Sequence, residues 1–187
     1  GDIQIDANGH LNMAQASAQG ALNVNAPSVE MTGKTYASSV NVRTAGELVN
    51  QQSLAARERV EINAGKVTNA GTIASGIEAD NSRNASGDVT INAPVVVNTG
   101  SIEASRALTI NAAQTLNNQS VVQGGAVNLT SGQIINQGLA ARLVGEQSLF
   151  ISTPAIVNLS GVIRFATGQA ASLQLDSLEN REGLIQA

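Results

Sequence analysis

Asp80, Ser82 and Asn84 alternate in a polar segment, and oxygen ligands at this spacing open calcium-binding loops. No glycine follows directly, and Ile91 stands where such a loop would place a bidentate glutamate. The pattern therefore disfavours calcium, and we expect no metal ion and no other cofactor. Asp80, Arg83 and Asn84 are instead the side chains of this segment that we expect to make polar contacts with a partner.

Two further sets of residues bear on catalysis. Glu58 and Glu61, which follow Arg57 and Arg59, are candidates for the paired carboxylates of a polysaccharide-cleaving β-helix. Isolated charges of this kind are more typical of a solvated loop. The single His10 would act as a general base only with a serine and an acid fixed around it. We therefore expect that the chain is not an enzyme, with a β-helical polysaccharide-degrading enzyme as the alternative.

A short hydrophobic repeat determines which elements carry these residues. Two aliphatic residues separated by one residue recur nine times, and successive starts lie 18 to 29 residues apart. Alternating hydrophobicity that restarts at a nearly fixed interval is typical of a solenoid built from short strands. The pairs are Ile3 and Ile5, Leu22 and Val24, Val40 and Val42, Val60 and Ile62, Val89 and Ile91, Leu108 and Ile110, Val127 and Leu129, Leu149 and Ile151, and Leu173 and Leu175.

The second half of each repeat carries a column of asparagines, with Met13 and Met31 in the same position of the first two repeats. Stacked amides at a corner can bond to one another and to the turn backbone, so we favour a structural role over sugar binding. Pro27, Pro94 and Pro154 also share one position, which predicts a common corner. The column comprises Asn50, Asn69, Asn98, Asn118, Asn136, Asn158 and Asn180.

These patterns predict an all-β fold, a right-handed parallel β-helix (solenoid) of about nine coils. We expect residues 1–187 to form a single β-helical repeat fragment, in which two strands and a short third strand make each coil. The longest spacing predicts a loop excursion at residues 77–87, which can form a partner-binding surface. In the segment Leu54–Val60, a single helical turn remains an alternative to a strand.

Composition limits the functional classes. The net charge is −4 and basic residues are scattered, so we expect no nucleic-acid partner. No apolar run is long enough for a membrane span. Aromatic residues make up only 2% of the chain, which gives little support to a second alternative, a carbohydrate-binding module. The absence of cysteine is typical of a protein that crosses an oxidising compartment unfolded.

Two segments carry a family resemblance. The stretches 60–74 (VEINAGKVTNAGTIA) and 89–104 (VTINAPVVVNTGSIEA) resemble the haemagglutinin repeats of filamentous haemagglutinin and its relatives. Those relatives are large exoproteins of bacterial two-partner secretion, including adhesins and contact-dependent inhibition proteins that deliver a toxin. The resemblance covers nearly the whole chain and is looser in the first two repeats and in the last.

The resemblance implies a structural stalk segment of a secreted protein at the bacterial cell surface. It also implies export of the full-length protein through a partner outer-membrane secretion barrel. Adhesion would involve a cell-surface receptor or glycan, and the excursion is the segment that we expect to touch it. The repeat motif itself assigns no catalytic or cofactor-binding residue.

Overall fold

A computed structural model describes residues 1–166 and 170–187. Within them the secondary structure consists of strands alone. The strands are β1 (Ile3–Asp6), β2 (His10–Met13), β3 (Ala16–Ser17), β4 (Ala21–Asn25), β5 (Ser28–Met31), β6 (Thr35–Asn50), β7 (Ser53–Asn69), β8 (Thr72–Ser75), β9 (Asp88–Asn92), β10 (Val95–Asn98), β11 (Ser101–Ala112), β12 (Thr115–Asn118), β13 (Val121–Ser131), β14 (Ile134–Gln137), β15 (Arg142–Ser152), β16 (Ala155–Leu159), β17 (Val162–Phe165), β18 (Ala170–Gln174), β19 (Ser177–Arg181) and β20 (Leu184–Gln186).

The strands stack in parallel into a β-helix of about nine coils, which confirms the predicted fold class. Each strand pairs with the equivalent strand of the next coil, as β1 does with β4 and β10 with β12. We number the coils 1 to 9 from their first aliphatic residue, so that coil 1 begins at Ile3 and coil 5 at Val89. At about 4.8 Å per coil, the stack is a rod on the order of 40 Å long.

The core is a set of aliphatic columns that run along the rod. Ile3 stacks on Leu22, Leu22 on Val40 and Val40 on Val60, and the column continues through the later coils. From coil 2 to coil 8 these residues are fully or almost fully buried. Branched aliphatic side chains fill this narrow interior well because the spacing between coils is fixed and small. The predicted inward faces are therefore confirmed for these coils.

The third strand of several coils runs without interruption into the first strand of the next coil. The strands β6, β7, β11, β13 and β15 all turn this corner, with register shifts at Ala37, Ala104 and Gly124. Small residues at the corner let the chain bend while its backbone stays paired with the neighbouring coils. The helical turn left open at Leu54–Val60 is absent, because this segment lies within β7.

The other predicted corner is also present. Pro27, Pro94 and Pro154 each lie between the first and second strands of a coil. Their carbonyl groups accept hydrogen bonds from the following coil, for example from Gly46 N at 2.9 Å and Gln114 N at 2.8 Å. Proline suits this position because its missing N–H is not needed by a strand ladder.

The ninth coil is displaced by two residues from its predicted register. Leu149 pairs with Ala171 and Ile151 pairs with Leu173, so the ninth aliphatic pair is Ala171 and Leu173. The sequence predicted Leu173 and Leu175 instead, because alanine contributes little to a hydrophobic pattern.

Candidate functional site

The seven asparagines of the predicted column lie one above another on the inner side of the second strands. We call them the amide ladder. Strand pairing sets each of them beside the next, from Asn50 and Asn69 to Asn158 and Asn180. All except Asn180 are fully buried.

Each amide of the ladder donates a hydrogen bond to the next. The six bonds between adjacent side chains measure 2.7 to 2.8 Å from Nδ2 to Oδ1. The same nitrogens also donate to backbone carbonyls of the turns, as Asn98 does to Val121 O at 3.0 Å. A buried amide that is satisfied in this way avoids the cost of desolvation and ties adjacent coils together. The amides of the ladder thus form their hydrogen bonds within the protein, except that Asn50 Oδ1 has no partner among the described residues.

A second, shorter ladder lies on the outer surface of the first strands. Asn111 donates to Asn92 at 2.8 Å, and Asn92 donates to Asn63 at 2.9 Å. Sequence reasoning missed it, although the signal was visible as asparagine directly after the second aliphatic residue in three successive coils. Its bonds run toward the N-terminus, opposite to those of the buried ladder.

The excursion at residues 77–87 folds back onto the outer face of the third strands. Gly76, with φ of +80°, starts it in the left-handed conformation that glycine tolerates. An isolated antiparallel bridge joins Ile77 and Arg83, and the hydroxyl of Tyr36 donates to Ile77 O at 3.1 Å. Burial, followed by the charge of Glu78, raises the pKa of Tyr36. The segment is therefore anchored to the rod.

Two outward alanines explain where the excursion docks. Ala55 and Ala74 follow Tyr36 in the outward column of the third strands, yet both are buried. With Ile77 and Arg83 they line a groove of about 410 Å³ between the excursion and the rod. Alanine at two successive outward positions was the sequence signal for this contact.

The three candidate contact residues of the excursion have different environments. The amide nitrogen of Asn84 donates to Glu78 Oε1 at 2.7 Å and to Arg57 O at 3.0 Å, so it holds the loop together. Arg83 is exposed and forms an ion pair with Glu103 of coil 5. Asp80 is exposed at the tip, where hydrogen bonds from Ser82 lower its pKa. Asp80 and Arg83 thus face solvent, whereas the Asn84 side chain is engaged internally.

The carboxylates proposed for polysaccharide cleavage each have a separate cation. Glu58 contacts Arg57 at 2.7 Å, and Glu61 lies 3.8 Å from Arg59. Cleavage of a glycosidic bond requires one carboxyl group held protonated and a second one free to act. Each of the two glutamates thus lies against its own arginine.

His10 lies between a serine and an acid, which the sequence alone did not indicate. Its Nδ1 is 2.9 Å from Ser28 Oγ, and its Nε2 is 3.8 Å from Glu30 Oε2. The longer distance exceeds a hydrogen bond, and Glu30 Oε1 already accepts one from Gln51 at 2.6 Å. His10 is exposed, whereas Ser28 and Glu30 are half-buried on the outer face of β5. Glu30 therefore does not hold the imidazole by a hydrogen bond, as the orienting acid of a catalytic histidine does.

Across the described residues, no group of three His, Cys, Asp or Glu residues comes together in a way that could hold a metal ion. The same residues contain no helix of the length and hydropathy needed to span a membrane.

Parallel coils joined by buried amides, with charged side chains distributed in separate ion pairs, define a structural repeat protein. The haemagglutinin repeat family matches residues 1–81 and 84–163, which is most of the chain, and the chain belongs to this family. The match confirms the predicted resemblance. No curated protein and no solved structure shows a significant match. Family and fold together identify a filamentous stalk of the adhesin type.

Proposed function

We propose that this chain is a shaft segment of a secreted, cell-surface filamentous exoprotein that mediates adhesion. The in-register stack of about nine coils carries this proposal. Buried amides form hydrogen bonds between adjacent coils, so the coils extend the rod and hold any attached element at a fixed distance from the surface.

Export through a partner outer-membrane barrel fits the composition. A chain that crosses a membrane unfolded gains from having no cysteine that could form early disulfides, and this chain has none. Strand pairing links only adjacent coils, so the chain can fold progressively as it emerges.

Adhesion is proposed to use the excursion rather than the smooth strand faces. The excursion lies on the outer face of the rod, is anchored by Tyr36 and the pair of Arg83 and Glu103, and borders the groove described above. Lys34 lines the other side of that groove. A cell-surface receptor or glycan would meet exposed Asp80 and Arg83 first, while Asn84 keeps the loop in shape.

The test reverses the ion pair without changing net charge. The double variant Arg83→Glu/Glu103→Arg keeps opposite charges in contact but inverts the charge that the excursion presents. The matched control, Arg59→Glu/Glu61→Arg, inverts a pair on the face formed by the first strands. Binding of the labelled fragment to host cells is measured by flow cytometry, and folding by thermal melting.

We expect the excursion variant to lose cell binding with its melting curve intact, and the control to bind like the original chain. Equal binding by both variants would contradict a role for the excursion. A fragment that binds no cell would contradict adhesion by this segment and leave only its role as a shaft.

A further inference from the structure

The corner between β1 and β2 carries a dipeptide that can react with itself. Of the 19 asparagines in the chain, Asn8 is the only one that is followed directly by glycine. Glycine has no Cβ, so nothing on this residue obstructs its own backbone nitrogen. The nitrogen of Gly9 can therefore approach the side-chain carbonyl carbon of Asn8.

This corner is longer than the equivalent corner of the next coil. Asp6 pairs with Asn25, which ends the first strand of coil 2. His10 pairs with Ser28, which begins the second strand of that coil. Three residues therefore connect the two strands in coil 1, and two residues connect them in coil 2. The extra residue gives the first corner more freedom to change its backbone conformation.

The rest of the rod does not hold this corner in place. Asn8 and Gly9 are both exposed, and neither forms a backbone hydrogen bond with another described residue. A Cβ on Gly9 would meet no atom within 4 Å, so the space around the corner is open. In coil 2, by contrast, Pro27 O accepts a hydrogen bond from Gly46 N at 2.9 Å. The Gly9 nitrogen is thus available in the folded state.

We propose that Asn8 is a site of spontaneous deamidation in the folded rod. The Gly9 nitrogen loses its proton to a base in the solvent and forms a bond to Cγ of Asn8. The bond between Cγ and Nδ2 then breaks, and Nδ2 takes up a proton and leaves as ammonia. The product of this step is a cyclic imide, the succinimide.

Water completes the reaction by opening the imide at either of its carbonyl carbons. Attack at Cγ gives aspartate. Attack at the backbone carbonyl carbon gives isoaspartate, in which the main chain runs through the side chain and gains one methylene group. No oxidant or reductant takes part. Either product replaces a neutral amide by a carboxylate and adds one negative charge to the net charge of −4.

The buried amide ladder is protected from the same reaction. Asn69 Nδ2 donates to Asn98 Oδ1 at 2.8 Å, and the N–H group of Ala70 donates to Asn50 O at 2.8 Å. Both groups that would react are therefore engaged, and reaction requires local opening of the coil. Such opening costs close to nothing at an exposed corner and much more inside a paired strand stack.

The experiment compares two Asn-Gly sites in one fold. Ala70→Gly places a glycine directly after Asn69 and so creates a second site within the ladder. The original chain and this variant are incubated at neutral pH, either folded or in urea, and are then digested at acidic pH. Mass spectrometry of the peptides measures the conversion of Asn8 and Asn69. Labelling by an isoaspartyl methyltransferase identifies isoaspartate.

In urea the two sites should react at similar rates. In the folded protein, Asn8 should react at about its rate in urea, whereas Asn69 should react more than about tenfold more slowly. Gly9→Ala should slow the conversion of Asn8, because the added Cβ obstructs the attacking nitrogen. Circular dichroism verifies that the variants are folded.

A second variant covers the case in which Ala70→Gly does not fold. Thr99→Gly places the glycine after Asn98, at an exposed position whose N–H group donates to Asn69 O at 2.8 Å. Asn98 should then be protected as Asn69 is.

An Asn8 that stays intact in the folded chain while it converts in urea overturns the proposal. Equal conversion of Asn8 and the ladder asparagine in a folded variant overturns the protection by the ladder. The converted chain, separated by ion exchange, should melt like the original chain. A lower melting temperature would show that the rod depends on this corner and would overturn its independence.

Discussion

Asn50 lies directly beside Met31 of the preceding coil, and the buried amide ladder begins at this contact. The Oδ1 atom of Asn50 is buried and accepts no hydrogen bond from a described residue, whereas its Nδ2 donates to Asn69 at 2.7 Å. Asn50 therefore takes part in one amide–amide bond, and each interior member takes part in two.

Replacing an interior asparagine of the ladder should destabilise the fold more than replacing its first member, Asn50. Asn98→Ala breaks the bonds to Asn69 and Asn118 and should cost about 2 to 3 kcal/mol, whereas Asn50→Ala should cost about 1 kcal/mol. Urea denaturation measures both. The double change Asn98→Ala/Asn118→Ala should cost less than the sum of the single changes, because one bond is shared. Strictly additive costs would contradict coupling along the ladder.

Gly100 should tolerate no side chain, because a Cβ there would lie 1.9 Å from Gly71 O of the preceding coil. Gly100→Ala should destabilise the fold by about 2 to 4 kcal/mol through displacement of the backbone. The control is Gly9→Ala, where a Cβ meets no atom within 4 Å and stability should change by less than about 0.5 kcal/mol. Similar melting temperatures for the two variants would contradict the close stacking of the turns.

Stability should fall in acid partly through Asp88. A hydrogen bond from Arg106 lowers the pKa of this carboxyl group from its ordinary value of 3.8. The stability that this interaction contributes is fully present above the ordinary pKa. It is lost as the pH falls through the lower pKa of Asp88 in the folded state.

The variant Arg106→Gln should therefore be less stable at neutral pH, and its difference from the original chain should shrink toward zero in strong acid. Urea midpoints between about pH 2 and pH 7 test this dependence. Arg43→Gln removes the same charge from a side chain without an ion pair among the described residues, and it should show no such convergence. If the stability of Arg106→Gln differed from that of the original chain by the same amount at every pH, the proposed role of the Arg106–Asp88 pair would be contradicted.

The excursion should be dispensable for folding. Replacing residues 78–87 by Gly-Ser uncovers Ala55 and Ala74 and removes anchoring contacts, so we expect a loss of about 1 to 2 kcal/mol with the coils intact. Circular dichroism and thermal melting measure the outcome. Asn81→Gly is the control, since Asn81 has a φ of 64° that glycine adopts freely. A deletion variant that no longer unfolds cooperatively would show that the segment is part of the coil.

Most of the coil register was predictable, because aliphatic pairs and asparagines recur at matching positions. Val60 pairs with Val89 although 29 residues separate them. The register was therefore predicted correctly across the excursion. The last coil was misplaced because Ala171 carries little hydrophobic signal. In physical terms, the prediction succeeded wherever a buried side chain was large or an amide was paired.

The docking of the excursion was not predictable from hydrophobic periodicity. Its contacts depend on Tyr36, two coils earlier, and on Glu103 in the next coil. The internal role of Asn84 was missed for a related reason: an asparagine in a polar loop looks the same whether its amide faces water or a backbone carbonyl. Likewise, His10 came to lie beside Ser28 only through the stacking of separate coils.

The buried amides all point in one direction along the rod. Each formed coil presents a hydrogen-bond donor toward the position of the following coil, and Asn69 completes the bond that Asn50 offers. A ladder that grew from its N-terminal end would therefore always offer a donor to the next coil, and one that grew from its C-terminal end would always offer an acceptor. The outer amides donate in the opposite sense, from Asn111 back to Asn92, and partly cancel the dipole that this alignment builds up.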